Sequence, residues 1–384
     1  MNLKKKIYLD YNATTPVDKR VVEVMLPYFT EKFGNASSDH FFGWDAAEGV
    51  EFAREQVSNL VNCKPTEITF TSGATEAANL ALFGFCKKNS TKGKHIITSK
   101  TEHKAILDTM QALETDGFQI TYLDVDAEGN IDLEELERFI TTETILVCLM
   151  LANNETGLIH PLKEIEKIVH EKDVKLMSDI TQAVGKIPGD LTELNLDLAI
   201  FSSHKIYGPK GVGALYINKK NIVQVEKTIF GGGQEKGMRP GTMNVSGIVG
   251  FGKAAEIAAD EMEDESIRIS KLRDQLEELL LEIEEVHINS KNSDRLPNTT
   301  NISFENSDGN LLFRKLNKLA ISRGSACTSN LINPSHVLKA MGLSDERALS
   351  SIRISLGRNT THSDIEFAAE EIKSKVYQIK KAVV

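Results

Sequence analysis

Between residues 67 and 217 the chain alternates short apolar runs with segments of helical periodicity, and this alternation narrows the fold more than any other feature. The runs Glu67–Thr71, His95–Thr98, Ile120–Leu123, Ile145–Leu151, Lys175–Ser178, Leu198–Phe201 and Ala214–Ile217 have the length and composition of buried strands. Between them, Thr75–Cys86, Lys104–Thr115 and Leu162–Lys172 read as helices. Such a succession predicts an α/β architecture, a mainly parallel sheet flanked by helices. Ligands of such sheets bind beyond the carboxyl ends of the strands, so the polar residues that follow each run are the natural site-builders.

After Gly252 the pattern changes. Neither Gly nor Pro occurs from Lys253 to Leu296, and Ile269, Leu272, Leu276, Leu279, Leu280 and Ile283 recur at helical spacing. This predicts a long helix leading into a smaller α+β domain, with strands at Asn298–Phe304 and Ala320–Arg323 and a closing helix at Ser363–Lys380. The expected division is a large domain of residues 15–260 and a small one of residues 1–14 with 261–384, which suits a chain of 384 residues.

Hydrophobic residues make up 41% and charged residues 26%, as in a folded soluble protein. A net charge of −10 argues against a nucleic-acid partner or an anionic membrane surface. No apolar run reaches the length of a membrane span, and the lysine-rich N-terminus lacks the apolar core of a signal peptide, so the expected location is cytoplasmic. Cys63, Cys86, Cys148 and Cys327 are widely separated. No two have metal-site spacing, and four are too few for a disulfide scaffold, so no metal is expected.

The run Leu198–Gly211 carries the most chemistry. Its apolar strand ends in Ser202-Ser203-His204-Lys205 and then breaks at Gly208-Pro209. A lysine just beyond a buried strand can form a Schiff base, and Ser and His beside it can hold a phosphate. That combination points to pyridoxal 5'-phosphate (PLP), which needs an amine, a phosphate cradle and a carboxylate for its ring nitrogen.

Four further segments sit at strand ends. Thr71-Ser72-Gly73-Ala74-Thr75-Glu76 opens a helix with small and hydroxylic residues, which makes an anion site or an ordinary N-cap. Asp179 ends Lys175–Asp179 with Gln182 close behind; it can pair with a pyridine nitrogen or cap a turn. The 26 residues from Asp179 to Lys205 leave room for one helical crossover and a strand. His103, after His95–Thr98, can lie on the ring and move protons, or be structural. Asn154, in Asn153-Asn154-Glu155-Thr156-Gly157, can donate to cofactor or substrate, or belong to a turn.

With these segments in this order, the chain resembles the cysteine desulfurases, PLP enzymes of the aspartate-aminotransferase fold (fold type I). The resemblance runs from Tyr8-Leu9-Asp10-Tyr11-Asn12-Ala13-Thr14-Thr15-Pro16 nearly to the C-terminus. It includes Thr101-Glu102-His103, Arg239-Pro240-Gly241-Thr242, Arg323-Gly324-Ser325-Ala326-Cys327-Thr328 and Ser350-Ser351-Ile352-Arg353-Ile354-Ser355. It is to the first class, the iron–sulfur-assembly and nitrogenase-associated type.

The resemblance implies that Lys205 binds the cofactor and later moves the substrate's α-proton. Ala74, Thr75, Ser202 and His204 would bind the phosphate, and Thr242 would reach the phosphate of a partner subunit in a homodimer. His103 would stack on the ring, Asp179 would meet the ring nitrogen, and Gln182 would meet the phenolic oxygen. Asn154 and Arg353 would hold the substrate carboxylate. Cys327 would take sulfur from L-cysteine as a persulfide, releasing L-alanine, and pass it to acceptor proteins such as an iron–sulfur scaffold, or toward tRNA or cofactor thiolation.

Cys148, within an apolar strand, and Cys86, on a helix, read as small core residues. Cys63, beside a turn, can be exposed, and nothing marks it as catalytic. An aminotransferase or selenocysteine lyase of the same fold would not need Cys327 in its first-class motif, and a non-catalytic relative would have lost the lysine, aspartate or cysteine.

Three departures stand out. Asn35-Ala36-Ser37-Ser38 lacks a proline common in the family, and Ile180 replaces a smaller residue in Asp179-Ile180-Thr181-Gln182. The chain also stops at Lys380-Lys381-Ala382-Val383-Val384, where related enzymes continue into a scaffold-docking tail, so docking of that kind is not expected to follow the usual pattern.

Overall fold

The seven runs read as strands before residue 218 assemble into one sheet. The computed structural model describes residues 6–221, 223–323 and 333–383. In chain order its strands are β1 (Ile7–Tyr8), β2 (Ile68–Thr71), β3 (His95–Ser99), β4 (Gln119–Leu123), β5 (Thr144–Cys148), β6 (Lys175–Asp179), β7 (Leu198–Ser202), β8 (Gly213–Ile217), β9 (Val286–Ile288), β10 (Thr299–Phe304), β11 (Leu319–Ala320) and β12 (Ser351–Ser355). The large sheet has the order β2-β8-β7-β6-β5-β3-β4. β8 is antiparallel to both neighbours and the other pairings are parallel, so the sheet is mainly parallel and the remaining strands share one direction.

The central strands explain their own sequences. β3, β5 and β7 are buried along their whole length, which is why they read as unbroken apolar runs rather than alternating ones. At the edge, β4 begins with exposed Gln119 and carries half-buried residues, as an outer strand must. The helices Lys104–Thr115, Leu133–Phe139 and Leu162–Glu171 make the crossovers, so the carboxyl ends of the parallel strands share one edge.

The β6–β7 connection departs from expectation. It is built of turns rather than a helix. Gly185 adopts φ +69°, and a side chain there would come within 2.7 Å of Ile206. Pro188 and Gly189 then prevent a helix from restarting.

The long helix spans Val245–Leu281, beginning before Gly252. Gly252 belongs inside it because a second long helix, Phe41–Leu60, crosses there: a Cβ on Gly252 would lie 2.5 Å from the Ala53 Cα. The first part of the Val245–Leu281 helix, through Ile248, Phe251 and Ala255, packs into the core of the large sheet. Its last part, through Ile269, Leu276 and Leu280, packs with Ile302, Phe304, Ile352 and Ile372 into a separate core. That second core covers an antiparallel sheet of order β12-β10-β9. β9 was not legible as a strand, and Ala320–Arg323 contains only the end of two-residue β11, with Ser322 bridged to Arg353.

The N-terminal segment ties the parts together. β1 pairs in parallel with β11, Asp10 bridges to Ser355, and Thr15 N–H donates to the His204 carbonyl at 3.1 Å. The chain thus passes from the small sheet directly to the turn that carries Lys205.

Candidate active site

The carboxyl ends of β2, β3, β5, β6 and β7 meet around a cavity of about 530 Å³. Nine of the residues singled out in the sequence line it: Ala74, Thr75, His103, Asn154, Asp179, Gln182, Ser202, His204 and Lys205. They come from five separate strand ends, so only the fold brings them together.

One end of the cavity is a helix start. Gly73 precedes the helix Ala74–Asn89 with φ +156°, and the Ala74 N–H donates to Ser202 Oγ at 2.8 Å. Glycine is required twice here: a Cβ on Gly213 would fall 2.6 Å from the Gly73 Cα, so the strand and the helix start could not approach each other. The first-turn N–H groups and the helix dipole favour an anion at this end. His204 lies beside it, its Nδ1 3.1 Å from Thr14 Oγ1, and burial holds its pKa down to about 4.

At the middle, the half-buried Lys205 donates through Nζ to the carbonyls of Asn12 and Ala13, the latter at 2.8 Å. Burial and then the charge of Arg353 pull its pKa down to about 8, against the pull of Asp179 and Asp10. At neutral pH roughly a tenth of such amines are unprotonated, against well under a thousandth for an ordinary lysine.

Buried Asp179 accepts from Thr181 N–H at 2.9 Å, so the turn-capping role and a place in the cavity coexist. His103 caps the helix Lys104–Thr115: its Nδ1 accepts from Ala105 N–H at 3.1 Å. Burial lowers its pKa, and because Nδ1 accepts from Ala105, a neutral ring carries its proton on Nε2.

Two nominated residues, Arg353 and Thr242, stand apart from the cavity lining. Arg353, on β12, is buried, pairs with Asp10 at 2.7 Å and donates to the Asn154 carbonyl at 3.0 Å, while its Nε has no partner among the described residues. Thr242 is exposed on a loop outside the cavity. Cys327 lies outside the described residues. Of the other cysteines, Cys86 and Cys148 are buried as expected. Cys63 is only half-exposed and packs against the main core, with burial raising its pKa to about 12.

Sequence reasoning missed Thr14, Met150, Thr181 and Lys210, which also line the cavity, and gave no role to Asn12, whose carbonyl receives Lys205. Lys210 was visible in Gly208-Pro209-Lys210-Gly211, but nothing in that turn says which way it faces.

The donor set fits PLP. It offers an amine of lowered pKa, a carboxylate at a strand end, an amide from Gln182, and a hydroxyl with a helix start at the opposite end. Thr181 adds a buried hydroxyl without a partner among the described residues. The aminotransferase class-V family profile matches residues 7–367. The chain belongs to the aminotransferase class-V family. Members of this family are PLP-dependent enzymes, in keeping with that donor set.

Class-V relatives extend over almost the whole length. The cysteine desulfurase IscS of Neisseria meningitidis serogroup C / serotype 2a is 50% identical over 382 residues, covering 99% of this chain and 95% of that protein. The cysteine desulfurase IscS of Histophilus somni strain 129Pt is 50% identical over 381 residues, covering 98% and 94%. Among solved structures, a NifS-like protein superposes with a TM-score of 0.91 at 40% identity, covering 97% of this chain and all of that one. SspA in complex with cysteine superposes with a TM-score of 0.81 at 36% identity, covering 91% and 98%.

Proposed function

We propose that this class-V protein is a PLP-dependent cysteine desulfurase that converts L-cysteine to L-alanine and supplies the sulfur for iron–sulfur cluster assembly. The observation that carries this reading is the convergence of Lys205, Asp179, His103 and Gln182 on one cavity closed by a helix start, in a chain half identical to proteins named for that reaction.

PLP, when bound, supplies an electron sink for the carbon skeleton of the amino acid. The residues divide the remaining work. The helix start at Ala74 and Thr75, with Ser202 and His204, holds the phosphate. Asp179 would face the ring nitrogen and favour a proton there, and Gln182 would donate to the phenolic oxygen. Arg353 and Asn154 take the substrate carboxylate. The lowered pKa of Lys205 suits an amine that would hold the cofactor and, unprotonated, accept the substrate's α-proton. His103, once it has taken up a proton, can return it to the departing product.

Cys327 accepts the sulfur. As thiolate it attacks the sulfur of the substrate: a sulfur–sulfur bond forms, the carbon–sulfur bond breaks, and its electron pair stays with the carbon that becomes the alanine methyl group. The net change is L-cysteine plus a protein thiol to L-alanine plus a protein persulfide. Acceptor proteins such as an iron–sulfur scaffold then remove the sulfur. The segment 324–332 that holds Cys327 is flanked by two anchors. Arg323 donates to Gly309 O at 2.7 Å on one side, and on the other His336 Nε2 lies 3.0 Å from Glu102 O.

The working unit is a homodimer in the cytoplasm, with Thr242 of each chain serving its partner. Support comes from Leu26, Phe29, Phe41, Trp44 and Phe52, large apolar side chains that are each exposed, on the Pro27–Thr30 and Phe41–Leu60 helices and the turn before the first. Among the described residues, no helix is long and apolar enough to cross a membrane. The two cores support a large domain of residues 15–260 and a small one of 1–14 with 261–384.

The test is incubation of purified protein with PLP and L-cysteine. Alanine and protein persulfide should appear without any keto acid. A keto-acid requirement would identify an aminotransferase, and turnover restricted to selenocysteine would identify a lyase. Light scattering should give twice the chain mass.

A further inference from the structure

Lys186 has no task in the scheme above. It sits in the turn between β6 and β7, four residues after Gln182, partly buried with its amine turned inward. Nζ donates to Gln182 Oε1 at 2.8 Å and to Asn12 Oδ1 at 3.4 Å. The charged groups that bear on it are cations, Lys205 and Arg353, which with burial hold its pKa well below that of a free lysine. Glu265 lines the small cavity on its other side but is taken by Arg358 at 2.7 Å.

The contact decides the chemistry of a neighbour. A carboxamide presents an acceptor at one end and a donor at the other, and either end can face a site. Here both ends of Gln182 are specified: Lys186 occupies Oε1, and Nε2 donates to the Asn12 carbonyl at 3.1 Å with a second N–H to spare. Asn12 is itself fixed, accepting from Asn298 at 3.0 Å and donating to Thr299 at 2.8 Å. Without Lys186, Oε1 would have no partner, and the amide could turn its oxygen toward the cavity.

We propose that Lys186 is a positioning residue that fixes the Gln182 carboxamide so that Gln182 offers N–H rather than C=O to the phenolic oxygen of the cofactor. The proposal rests on the PLP reading and adds a residue to it. Its mark is electrostatic: an N–H on the phenolic oxygen draws negative charge from it and eases loss of the proton shared with the lysine-linked nitrogen.

The experiment is a pH titration of the visible absorbance band of the PLP-loaded protein, without substrate. Lys186→Met should raise the midpoint by about one pH unit, tenfold in the proton equilibrium. Gln182→Ala should raise it similarly, and the double variant should go no further than Gln182→Ala alone. Lys186→Gln, whose amide N–H can reach Oε1, should return the midpoint toward that of the unaltered protein. An unmoved midpoint in Lys186→Met, or shifts that add in the double variant, would overturn the proposal while leaving the cofactor reading intact. A protein that binds no PLP and shows no visible band would overturn both. Should Lys186→Met not fold, cofactor-free Gln182→Glu, whose carboxylate meets the amine directly, should melt above Gln182→Met; equal melting temperatures would count against the contact.

Discussion

Lys205 and Asn12 stand 193 positions apart, and the lysine Nζ donates to the asparagine backbone carbonyl. With a second bond to Ala13, the amine is held in place by neutral acceptors. Neutral acceptors orient an amine without stabilising its charge as a carboxylate would, which is consistent with a pKa near 8 in this half-buried setting. Covalent uptake of PLP by cofactor-free protein should therefore accelerate with pH and level off above about 8, because only the unprotonated amine attacks. Stopped-flow absorbance between pH 6 and 10 is the measurement; an exposed lysine would keep accelerating toward its ordinary pKa near 10.5. Lys205→Ala should abolish the visible band.

Cys327→Ala should separate binding from sulfur transfer. The variant should still take up PLP and change its spectrum with L-cysteine, yet form neither persulfide nor alanine in repeated turnover. Mass spectrometry of the intact protein reads the persulfide. Normal turnover by the variant would move the sulfur acceptor elsewhere.

Arg353→Lys should raise KM for L-cysteine about tenfold or more, the worth of one charge-assisted hydrogen bond in a planar pair. Lysine keeps a positive charge near Asp10 but not the fork that reaches both Asp10 and the Asn154 carbonyl. Steady-state kinetics across a range of cysteine concentrations checks this, with PLP content measured in parallel to show that the cofactor site is unaffected.

At the opposite, amino-terminal side of the sheet, His170 lies between Asp197 at 2.8 Å and Glu166 at 2.6 Å. The hydrogen bond to buried Asp197 leads in raising its pKa, burial opposes, and Glu166 adds to the rise. A raised folded-state pKa means that its stabilisation is complete below the unfolded value near 6.5 and is lost as pH climbs through the higher folded value. His170→Gln should thus cost about 1–3 kcal/mol at pH 6 and less at pH 9. Urea denaturation at the two pH values measures the difference.

Much of this was legible because the buried parallel strands are apolar along their length, and because the residues after them are unusual. Leu198–Ser202 followed by His204 and Lys205 is one such run, and Lys175–Asp179 another. Two kinds of feature were not legible. The Val245–Leu281 helix hides its start in Gly247, Gly250 and Gly252, where a Cβ would crowd Val212, Met25 and Ala53 in turn, and a glycine-rich stretch reads locally as a break. Asn12 and Lys186 escaped because their importance comes from contacts across the chain. The partners of Asn12 are residues 154, 182, 186, 205, 298, 299 and 355, and no spacing rule connects them.

The pairing of β1 with β11, and the bond from Arg353 to Asp10, set the order in which this enzyme can come into being. Asp10 leaves the ribosome well ahead of its partner, which follows 343 positions later. At bacterial or eukaryotic synthesis rates that interval is roughly twenty to seventy seconds. Until then the large sheet can form while the backbone carbonyls that hold Lys205 are still without their final support. Maturation of the site, and with it productive cofactor capture, therefore waits until β12 has been made. A stalled or truncated chain should fold much of its sheet and yet remain colourless.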